Sequence, residues 1–405
     1  MEHRPGFVVP PKLIFLVTED WYFWSHRLPM ARAARDAGFA VAVATRVREH
    51  GDRIRGEGFG LHGLPWRRRG DGTLGAARAV AAIAALYRRE RPDIVHHVAL
   101  KPVLFGGLAV RLAFPWRTGP RLAGPRRTGR PTSIAAVNGL GSGLGAEGGL
   151  ARLARPMIDR GLGWALRRAA GGGRVIVQNP EDGAALAGIG IAREKLVLIR
   201  GSGVDTAHFA PLPEPAGPVV TVALVARMLR SKGVFEAAEA VRRLRAQGLA
   251  IELVLAGPTD DNADSLDDRA LAALATEPGI AWLGRVEDVR EVWRRAAIAV
   301  LPSSYGEGVP KALLEAAACA RPIVASDMPG CREVVRPGET GLLAPPRDVG
   351  ALAEALAALA GDPARRAAMG RAGRALVERE FGEGRIAAET LALYQAVLRE
   401  REAGR

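Results

Sequence analysis

The chain has 405 residues, 48% of them apolar and 25% charged, which is ordinary for a globular protein but too much chain for one compact core. We therefore expect two domains of about 200 residues each. No run reaches the ~18 apolar residues of a membrane-spanning helix, and the opening residues are too polar for a signal peptide. Two cysteines, Cys319 and Cys331, provide neither a disulfide framework nor a metal cluster, so the sequence predicts a cytosolic protein.

The positive charge of the chain is concentrated in its first half. The net charge of +14 divides into +17 for residues 1–200 (32 basic less 15 acidic) and −3 for residues 201–405 (25 less 28). No nucleic-acid-binding motif is visible. Basic groups beside apolar residues favour peripheral binding to an anionic membrane surface over simple solvation of the arginines. The basic groups are Arg67–Arg69, Arg88–Arg89, Arg126–Arg127 with Arg130, and Arg167–Arg168, and the apolar residues are Trp66, Phe114, Pro115 and Trp116.

Short apolar runs alternate with amphipathic stretches along the first half. The apolar runs predict strands at 12–17, 39–45, 93–98, 132–137, 174–178 and 195–199. Helical patterns fall at about 25–37, 73–90, 101–113, 150–170 and 180–188. Residues 115–131, rich in proline, glycine and arginine, predict a mobile surface loop.

The second half repeats this alternation. Strands are predicted at 219–225, 251–256, 281–283, 298–302, 322–326 and 341–344, with helices between them. Because nearly all-apolar strands alternate with helices, we predict an α/β fold of two doubly wound parallel sheets. Residues 211–218 contain four prolines and predict the linker between a domain at 1–210 and a domain at 211–383.

Two cations follow the strand predicted at 219–225, in the run A-R-M-L-R-S-K-G. Arg227 and Lys232 lie five residues apart at the carboxyl end of this strand, so both can reach one diphosphate. Arginine offers a planar fork and lysine a compact point charge. The chain contains five lysines among its 57 basic residues, and two of them, Lys232 and Lys311, fall in the two motifs described here.

Two glutamates flank a tight turn in the run Y-G-E-G-V-P-K-A-L-L-E that ends at Glu315. Pro310 suits the first turn of a helix, whose free N–H groups favour an anion such as a diphosphate. Glu307 precedes this turn, and Glu315 lies about two helical turns along. The amides expected to face the anion are those of Gly308, Val309 and Lys311. Together with the acids they suit a nucleotide sugar; the alternative is two solvated glutamates on an ordinary helix.

The order A-R-x-x-x-x-K-G after a strand, then E-G-x-P-x-x-x-x-E about eighty residues later, resembles the retaining glycosyltransferases of family 4. Further matching segments are 201–209 (G-S-G-V-D-T-A-H-F) and 321–335 (R-P-I-V-A-S-D-M-P-G-C-R-E-V-V). The resemblance covers essentially the whole chain, and within the family the chain is similar to bacterial capsule, O-antigen and exopolysaccharide enzymes. It implies the GT-B architecture, with the final helix, about 384–405, packing back on the first domain.

The resemblance also implies roles for residues of the donor side. Arg227 and Lys232 correspond to the basic pair that neutralises the donor diphosphate, and Glu315 to the carboxylate that binds the nucleotide ribose. Glu307 corresponds to the motif glutamate near the transferred sugar, as a catalytic or orienting group. The segment expected to contact the base is Gly284, Arg285 and Val286, and the amides over the diphosphate are those of Gly308, Val309 and Lys311. These groups require no metal and no cofactor besides the donor.

The acceptor side is expected in the first domain, where the glycine-rich turn of many family members is replaced by T18-E-D-W-Y-F-W-S-H-R27. Within this loop, Asp20, Ser25, His26 and Arg27 match a variant of capsule-type members. Residues 21–24 are four consecutive aromatics, suited to stacking on sugar or lipid, or to core packing. The glycine run 138–145 resembles a loop facing the acceptor cleft, which adds Asn138 and Gly139.

His97 ends the third predicted strand of the first domain, a common place for site residues in open parallel sheets. We therefore include His97 among the catalytic candidates with Glu307, Arg227 and Lys232. His96 alternates away and is expected to face the opposite side of the sheet.

These observations predict a retaining, metal-independent glycosyltransferase that uses a nucleotide-diphosphate sugar, with UDP the favoured carrier. The acceptor is expected to be a glycan or a polyprenyl-diphosphate-linked sugar of a bacterial surface polysaccharide. A nicotinamide-dependent oxidoreductase is disfavoured, because the sequence shows no glycine-rich turn after a first strand with an acidic residue about twenty positions later. A non-catalytic nucleotide-sugar or glycan-binding relative, and a GT-B sugar epimerase, remain as alternatives.

Overall fold

The computed structural model describes residues 9–66, 72–115, 129–139, 163, 166, 173–261 and 263–403. The chain divides into two compact units, each described here by itself. The first, unit 1, comprises Met1–Asn138, Leu144–Ile199 and Ile386–Arg405. The second, unit 2, comprises Gly139–Gly143 and Arg200–Arg385.

Unit 1 is built on a parallel sheet whose strands follow one another in the order β3-β2-β1-β4-β5-β6-β7. The strands are β1 Lys12–Glu19, β2 Ala40–Arg46, β3 Gly60–Gly63, β4 Ile94–Val98, β5 Thr132–Ala136, β6 Arg174–Val177 and β7 Leu196–Leu198. The helices are α1 Asp20–His26, α2 Leu28–Asp36, α3 Gly51–Gly56, α4 Gly72–Glu90, α5 Leu100–Ala113 and α6 Pro180–Gly188. The long last helix, Glu383–Ala403, begins in unit 2 and continues in unit 1.

Both faces of this sheet are covered, as the apolar strands predict. On one face, Phe15 of β1 packs with Tyr394 of the last helix and with Met30 of α2. On the other face, Leu16 packs with Tyr87 of α4 and with residues of α5. Because successive strand residues point to opposite faces, β1 supplies side chains to both cores.

The strand order of unit 1 reverses between β1 and β4, since β2 and β3 lie on one side and β5 to β7 on the other. In register, Phe15 of β1 lies between Val43 of β2 and His96 of β4. Such a reversal leaves a crevice at the carboxyl ends of the two central strands, where ligands bind in open α/β sheets.

Three short elements of unit 1 differ from the prediction. The segment expected as a loop at 18–27 forms α1, and β3 and α3 were not predicted at all. In α1, Phe23 is completely buried against Phe15 and Phe59, so tertiary packing holds a helix too short to be stable alone. The helix predicted at 150–170 and residues 116–128 of the predicted loop lie outside the described residues, apart from positions 163 and 166.

Unit 2 contains a parallel sheet in the order β10-β9-β8-β11-β12-β13. Its strands are β8 Val220–Val225, β9 Ile251–Ala256, β10 Ile280–Trp282, β11 Ile298–Leu301, β12 Ile323–Ser326 and β13 Gly341–Ala344. Its helices are α7 Val234–Ala246, α8 Asp268–Ala275, α9 Arg290–Arg295, α10 Lys311–Ala318, α11 Pro329–Val334, α12 Val349–Ala360 and α13 Pro363–Glu380, and the last helix of the chain is α14. The strand order reverses between β8 and β11, which defines a second crevice.

The boundary between the units falls at 199/200, before the predicted division at 210/211. The intervening segment is bound to unit 2 by its backbone. Val204 bridges to Gly382, and Arg374 of α13 donates to the carbonyls of Thr206 and Phe209. The proline-rich segment therefore follows the boundary and does not form it.

Candidate functional site

The residues predicted for the donor side lie at the carboxyl edge of the sheet in unit 2. Arg227 follows β8, Asp260 follows β9, and Glu307 follows β11, so the segments after three neighbouring strands bring them to the same edge. This is the edge and the strand reversal where open parallel sheets bind ligands.

The segment with the two cations is held by the loop that follows β9. The backbone N–H of Met228 donates to Pro258 O at 2.9 Å, and that of Leu266 donates to Met228 O at 2.8 Å. Asp264 accepts hydrogen bonds from both the N–H and the hydroxyl of Ser231. This loop, which lies about thirty residues further along the chain, thereby fixes the backbone from Arg227 to Lys232.

Arg227 forms an ion pair with Asp260 through its Nη1. The Asp260 side chain is almost completely buried, whereas about a third of Arg227 remains exposed. Because Asp260 contacts one nitrogen of the guanidinium, the other N–H groups of the fork are left for a ligand. Asp260 was not predicted from the sequence, and it lies in the loop that follows β9.

Lys232 forms an ion pair with Glu307, whose other carboxylate oxygen accepts a hydrogen bond from Ser303 Oγ at 3.0 Å. Ser303 Oγ also lies 3.1 Å from the carbonyl oxygen of Ser231. The two sequence motifs, 75 residues apart, thus meet at one pair of opposite charges. This charge pair holds Glu307 at the edge of the sheet with both oxygens engaged.

The turn before α10 is packed closely against α11. A Cβ on Gly330 would lie 1.5 Å from the carbonyl oxygen of Gly308, so only glycine fits there. Val309 is buried against Gly201, whose φ is +75°. Cys331 is also buried, and burial raises the pKa of its thiol, in keeping with a packing role.

The helix predicted to begin at Pro310 begins one residue later, at Lys311. Pro310 is the N-cap, with φ −68° and ψ 121°, and its carbonyl accepts from Leu313 N at 3.1 Å. Because the cap residue is extended, Gly308 and Val309 precede the helix and do not belong to its first turn. The N–H groups that open α10 are therefore those of Lys311 and Ala312, and the start of a helix favours an anion.

Glu315 lies one turn after Lys311 on α10, and its carboxylate has no hydrogen-bond or ion-pair partner among the described residues. Burial raises the pKa of Glu315 to about 7, and nearby Lys311 lowers it to a smaller extent. A carboxylate in a poorly solvated position without a protein donor has its acceptor oxygens available to hydroxyl groups of a ligand.

The third donor-side segment, Gly284–Val286, follows β10 at the end of the sheet. The carbonyl of Gly284 accepts from Gly257 N at 2.8 Å, which ties this segment to the end of β9. Gly284 has a φ of +64°, a conformation that favours glycine. Val286 packs on the core, and Arg285 completes the segment.

In unit 1, Asp20 has a different role from the acceptor contact predicted for it. Its side chain is completely buried, and Oδ2 accepts from the backbone N–H groups of Arg48 and His50, at 2.6 and 2.9 Å. Oδ1 accepts from Trp21 N at 2.8 Å. All three bonds fix the connection after β2 and the start of α1, so we reassign Asp20 to loop fixation.

Asn138, at the carboxyl end of β5, connects three other residues. Its Oδ1 accepts from Arg27 Nη2 at 2.8 Å and from Gln178 Nε2 at 2.9 Å, and its Nδ2 donates to Tyr22 Oη at 2.8 Å. Since a guanidinium only donates, the atom facing Arg27 must be the amide oxygen. Gln178, buried after β6, was predicted only as a strand residue.

His26 is half-buried and stacks on Tyr22, with ring centroids 4.1 Å apart. Its Nδ1 lies 2.6 Å from Ser25 Oγ. Of the aromatic run 21–24, Phe23 is core, and the other three are half-buried. Gly139 is described and has a φ of +96°, whereas the remainder of the glycine run, 140–145, lies outside the described residues.

The two histidines of β4 face opposite sides of the sheet, as predicted. His96 Nδ1 lies 2.6 Å from Tyr394 Oη of α14, and His97 Nε2 lies 3.1 Å from Tyr87 Oη of α4. Both imidazoles are completely buried, and burial lowers the pKa of His97 to about 3. A Cβ on Gly106 of α5 would lie 2.4 Å from His97 Nε2. This enclosure assigns His97 to packing, in place of the predicted catalytic role.

Three further observations concern the membrane and metal predictions. The part of the chain that the structure describes contains no helix long and apolar enough to cross a membrane and no cluster of three or more potential metal ligands. Trp66 is buried in the core, so its prediction as a membrane-facing residue is wrong. Arg67–Arg69, Arg126–Arg127, Arg167–Arg168 and Trp116 lie outside the described residues.

Two protein-family models match the chain. Residues 12–117 match the model "Glycosyl transferase 4-like", and residues 219–362 match "Glycosyl transferases group 1". The first match falls in unit 1 and the second in unit 2, where it includes Arg227, Lys232 and both motif glutamates.

Two of the curated relatives are bacterial proteins named as glycosyltransferases. A putative colanic acid biosynthesis glycosyltransferase of Escherichia coli K12 is 33% identical over 220 residues, which cover 52% of this chain and 53% of that protein. A Campylobacter jejuni N,N'-diacetylbacillosaminyl-diphospho-undecaprenol alpha-1,3-N-acetylgalactosaminyltransferase is 26% identical over 388 residues, which cover 92% and 95%. The chain thus spans about half of the first relative and nearly all of the second.

Solved structures agree in fold. HepE of Anabaena, crystallised with UDP and glucose, matches with a TM-score of 0.71 and 17% identity, over 94% of this chain and 99% of that one. A sucrose-phosphate synthase of Thermosynechococcus elongatus matches with a TM-score of 0.75 and 22% identity, over 96% and 100%. With one glycosyltransferase model matched in each unit and two doubly wound parallel sheets, the chain belongs to the family 4 type of glycosyltransferases and has the GT-B architecture.

Proposed function

We propose that this glycosyltransferase is a retaining enzyme that transfers a sugar from a nucleotide diphosphate, with UDP as the carrier. The observation that carries the proposal is the arrangement at the sheet edge of unit 2. There, two cations and the start of α10 accompany a carboxylate, Glu315, that has no protein partner among the described residues.

In the proposed donor complex, each group has a separate task. Arg227 and Lys232, with the first amides of α10, bind the diphosphate, for which a guanidinium fork, an ammonium group and helix N–H groups are suited. Glu315 accepts hydrogen bonds from the ribose hydroxyls. Gly284, Arg285 and Val286 contact the base, and Glu307 lies beside the transferred sugar.

The proposed reaction is a displacement on one face of the sugar. The acceptor oxygen forms a bond to the anomeric carbon while the bond from that carbon to the diphosphate breaks, and the proton of the acceptor moves to the departing phosphate oxygen. Charge accumulates on the diphosphate, so the strongest stabilisation comes from Arg227, Lys232 and the helix amides. Because these groups supply the positive charge, we propose that turnover needs no divalent metal.

For the acceptor, we propose a glycan or a sugar on a polyprenyl diphosphate, in the synthesis of a bacterial surface polysaccharide such as a capsule or an O-antigen. The Campylobacter jejuni relative, whose name describes transfer to a diphospho-undecaprenol-linked sugar, supports this class. The half-buried groups around Asn138 in unit 1 provide hydrogen-bonding and aromatic surface for a sugar.

We also propose peripheral binding of unit 1 to the inner face of the cytoplasmic membrane. On α5, Leu108 and Leu112 are one turn apart and about half exposed, with Arg111 between them. Leu74, at the start of the neighbouring α4, is 75% exposed. Apolar side chains beside a cation suit an interface with anionic lipid. Sedimentation with anionic vesicles should fall on Leu108→Ser with Leu112→Ser, and unchanged sedimentation would refute this binding mode.

The first test is a calorimetric titration with UDP, GDP, TDP and ADP, with EDTA and then with Mg²⁺. We expect one diphosphate to bind in EDTA and to bind about tenfold more weakly to Arg227→Ala and to Glu315→Ala. Arg243→Ala, which removes an exposed arginine of α7 from an ion pair with Glu239, is the matched control. Absence of binding, or binding indifferent to both site variants, would overturn the donor site and favour a glycan-binding role.

Turnover with UDP-sugars then separates the enzyme from its non-catalytic alternatives. Transfer to a synthetic polyprenyl-diphosphate sugar, with retention at the anomeric carbon by NMR, is the expected result. Conversion of the donor sugar into its epimer without an acceptor would instead establish the epimerase.

A further inference from the structure

Arg27 is a buried cation that has no counter-ion in the part of the chain that the structure describes. Its side chain is 3% exposed, and Nη2 donates to Asn138 Oδ1 at 2.8 Å. Nη1 reaches only the thioether sulfur of Met30, at 3.6 Å, and Nε has no hydrogen-bond partner. None of the carboxylates in the described ranges forms an ion pair with it. Fully buried arginines are rare unless they are paired, so this residue requires an explanation.

Two ionisable groups that interact with Arg27 do not compensate its charge. His96 and Tyr394, which bond one another, are both completely buried. Burial and the guanidinium of Arg27 hold the pKa of His96 well below its usual range, and burial raises the pKa of Tyr394. Both side chains are therefore neutral at pH 7. A cation among neutral groups in a poorly solvated position weakens the folded state, which favours a purpose beyond stability.

The position of Arg27 is the one where a ligand is expected. Arg27 directly follows α1, which begins where β1 ends, and Asn138 and Gln178 follow β5 and β6. The three residues therefore meet at the carboxyl edge of the sheet in unit 1, beside the strand reversal between β1 and β4. Tyr22 and Asn138 are half-buried, so this network extends from the buried guanidinium to the surface of the unit.

We propose that Arg27 binds an oxyanion of the acceptor, either a phosphate of a lipid-linked diphosphate or the carboxylate of an acidic sugar. The Nε–H and Nη1–H groups, which have no oxygen acceptor among the described residues, donate to this oxyanion. Asn138 holds the guanidinium in place, and Gln178 and Tyr22 hold Asn138. The inference rests on the proposed function, because it assigns the acceptor to unit 1 and the donor to Arg227 and Lys232 of unit 2.

A purely structural cation would behave differently when it is replaced. If Arg27 only joined α1 to β5, its loss would destabilise unit 1 and leave anion binding unchanged. If it serves a ligand, a neutral side chain of similar length should weaken anion binding and leave the melting temperature the same or higher. Arg27→Met suits the test, because methionine fills the space beside Met30 without introducing a charge.

The experiment is a calorimetric titration at saturating UDP, which occupies the donor site. The probes are geranyl diphosphate, inorganic pyrophosphate and glucuronate. Binding of the two diphosphates alone identifies a phosphate as the natural oxyanion, and binding of glucuronate alone identifies a carboxylate. The proteins compared are wild type, Arg27→Met, Arg27→Lys and the control Arg32→Met, which removes an exposed ion pair with Glu57 on the neighbouring helix.

We expect Arg27→Met to bind the successful probe at least tenfold more weakly, with a melting temperature not below that of wild type. Arg32→Met should bind it unchanged. Arg27→Lys keeps the charge but not the fork, so it should fold and bind about threefold more weakly or worse. If Arg27→Met does not fold, the affinity of Arg27→Lys for the probe tests the proposal. The proposal is overturned if no probe binds wild type, or if Arg27→Met or a folded Arg27→Lys binds like wild type. The donor assignment fails separately, through loss of UDP binding itself.

Discussion

Replacing Glu315 with glutamine should stabilise the protein at alkaline pH and weaken its binding of UDP. In the folded chain, burial raises the pKa of Glu315 to about 7, from an ordinary value of 4.5. Between these pH values the folded state holds a proton that the unfolded state has lost. Stability therefore falls as the pH rises from about 4.5 to about 7, and the full cost of the ionised carboxylate is present at pH 8.

The size of this cost follows from the shift. A difference of about 2.5 pKa units corresponds to at most about 3 kcal/mol. Because part of the Glu315 side chain reaches solvent, we reduce this to about 1–2 kcal/mol. For a unit of this size, Glu315→Gln should raise the melting temperature by about 3–6 °C at pH 8 and leave it nearly unchanged at pH 4.5.

UDP binding should change in the opposite direction. An ionised carboxylate accepts stronger hydrogen bonds from the ribose hydroxyls than a neutral amide does, so Glu315→Gln should bind UDP about tenfold more weakly at pH 8. The phosphate of UDP itself titrates near pH 6, so the informative quantity is the ratio of the two affinities. This ratio should increase from pH 6 to pH 8, as wild-type Glu315 ionises.

The assays are differential scanning calorimetry without ligand and isothermal titration with UDP, each at pH 4.5, 6, 7 and 8 where the protein stays folded. Glu354→Gln, at an exposed position of α12, is the matched control and should change neither quantity. A melting temperature of Glu315→Gln that stays below wild type at pH 8 would refute the cost assigned to the buried carboxylate. An affinity ratio independent of pH would refute its role in holding the ribose.

Four further predictions concern residues of the proposed diphosphate site. Asp260→Ala should weaken UDP binding about fivefold, because it releases Arg227, and Asp260→Asn should weaken it less. In an Arg227→Ala background, Asp260→Ala should weaken UDP binding no further. An effect that persists in this background would show that Asp260 acts through the loop alone. Lys232→Met should weaken UDP binding about tenfold. Glu307→Gln should lower kcat more than it changes KM for the donor. A change in KM that exceeds the change in kcat for Glu307→Gln, or unchanged UDP binding by Lys232→Met, would contradict these roles. Gly330→Ala should displace the turn at Gly308 and reduce UDP affinity at least tenfold, and unchanged affinity in a folded protein would contradict the close packing.

Most of the fold could be predicted because apolar strands alternate with helices along the chain. The strands of unit 2 were each predicted to within about two residues, since burial on both faces leaves an almost continuous apolar run. The strand that escaped prediction, β3, is four residues long and has no fully buried residue, so it carries no apolar pattern. Helix α1 escaped because its aromatic residues fit a loop or a core equally well in the sequence, and Phe23 alone proves to be core.

The site was predictable where a residue acts through its own segment. The two motifs placed Arg227, Lys232 and the glutamates at one sheet edge without reference to any other contact. Asp260 and Gln178 could not be found in this way, because their roles depend on partners 33 and 40 residues away in the chain. His97 shows the reverse error, since the end of a strand is a common place for a ligand and here it is enclosed by α4 and α5.

The charged residues at the two sheet edges fall into two groups. Some are satisfied by hydrogen bonds or opposite charges of the protein, which indicates a structural role, and others are not, which indicates a ligand. Asp20 has three backbone donors, and Lys232 has the opposite charge of Glu307, so the protein itself satisfies both. Arg27 and Glu315 are poorly solvated and have no opposite charge bound to them among the described residues. A buried charge without a protein partner lowers stability, and a ligand of the opposite polarity recovers that loss on binding. The same reasoning therefore gives Glu315 a hydroxyl donor and Arg27 an oxyanion. It requires that Arg27→Met does not destabilise the free protein and that Glu315→Gln stabilises it above pH 7.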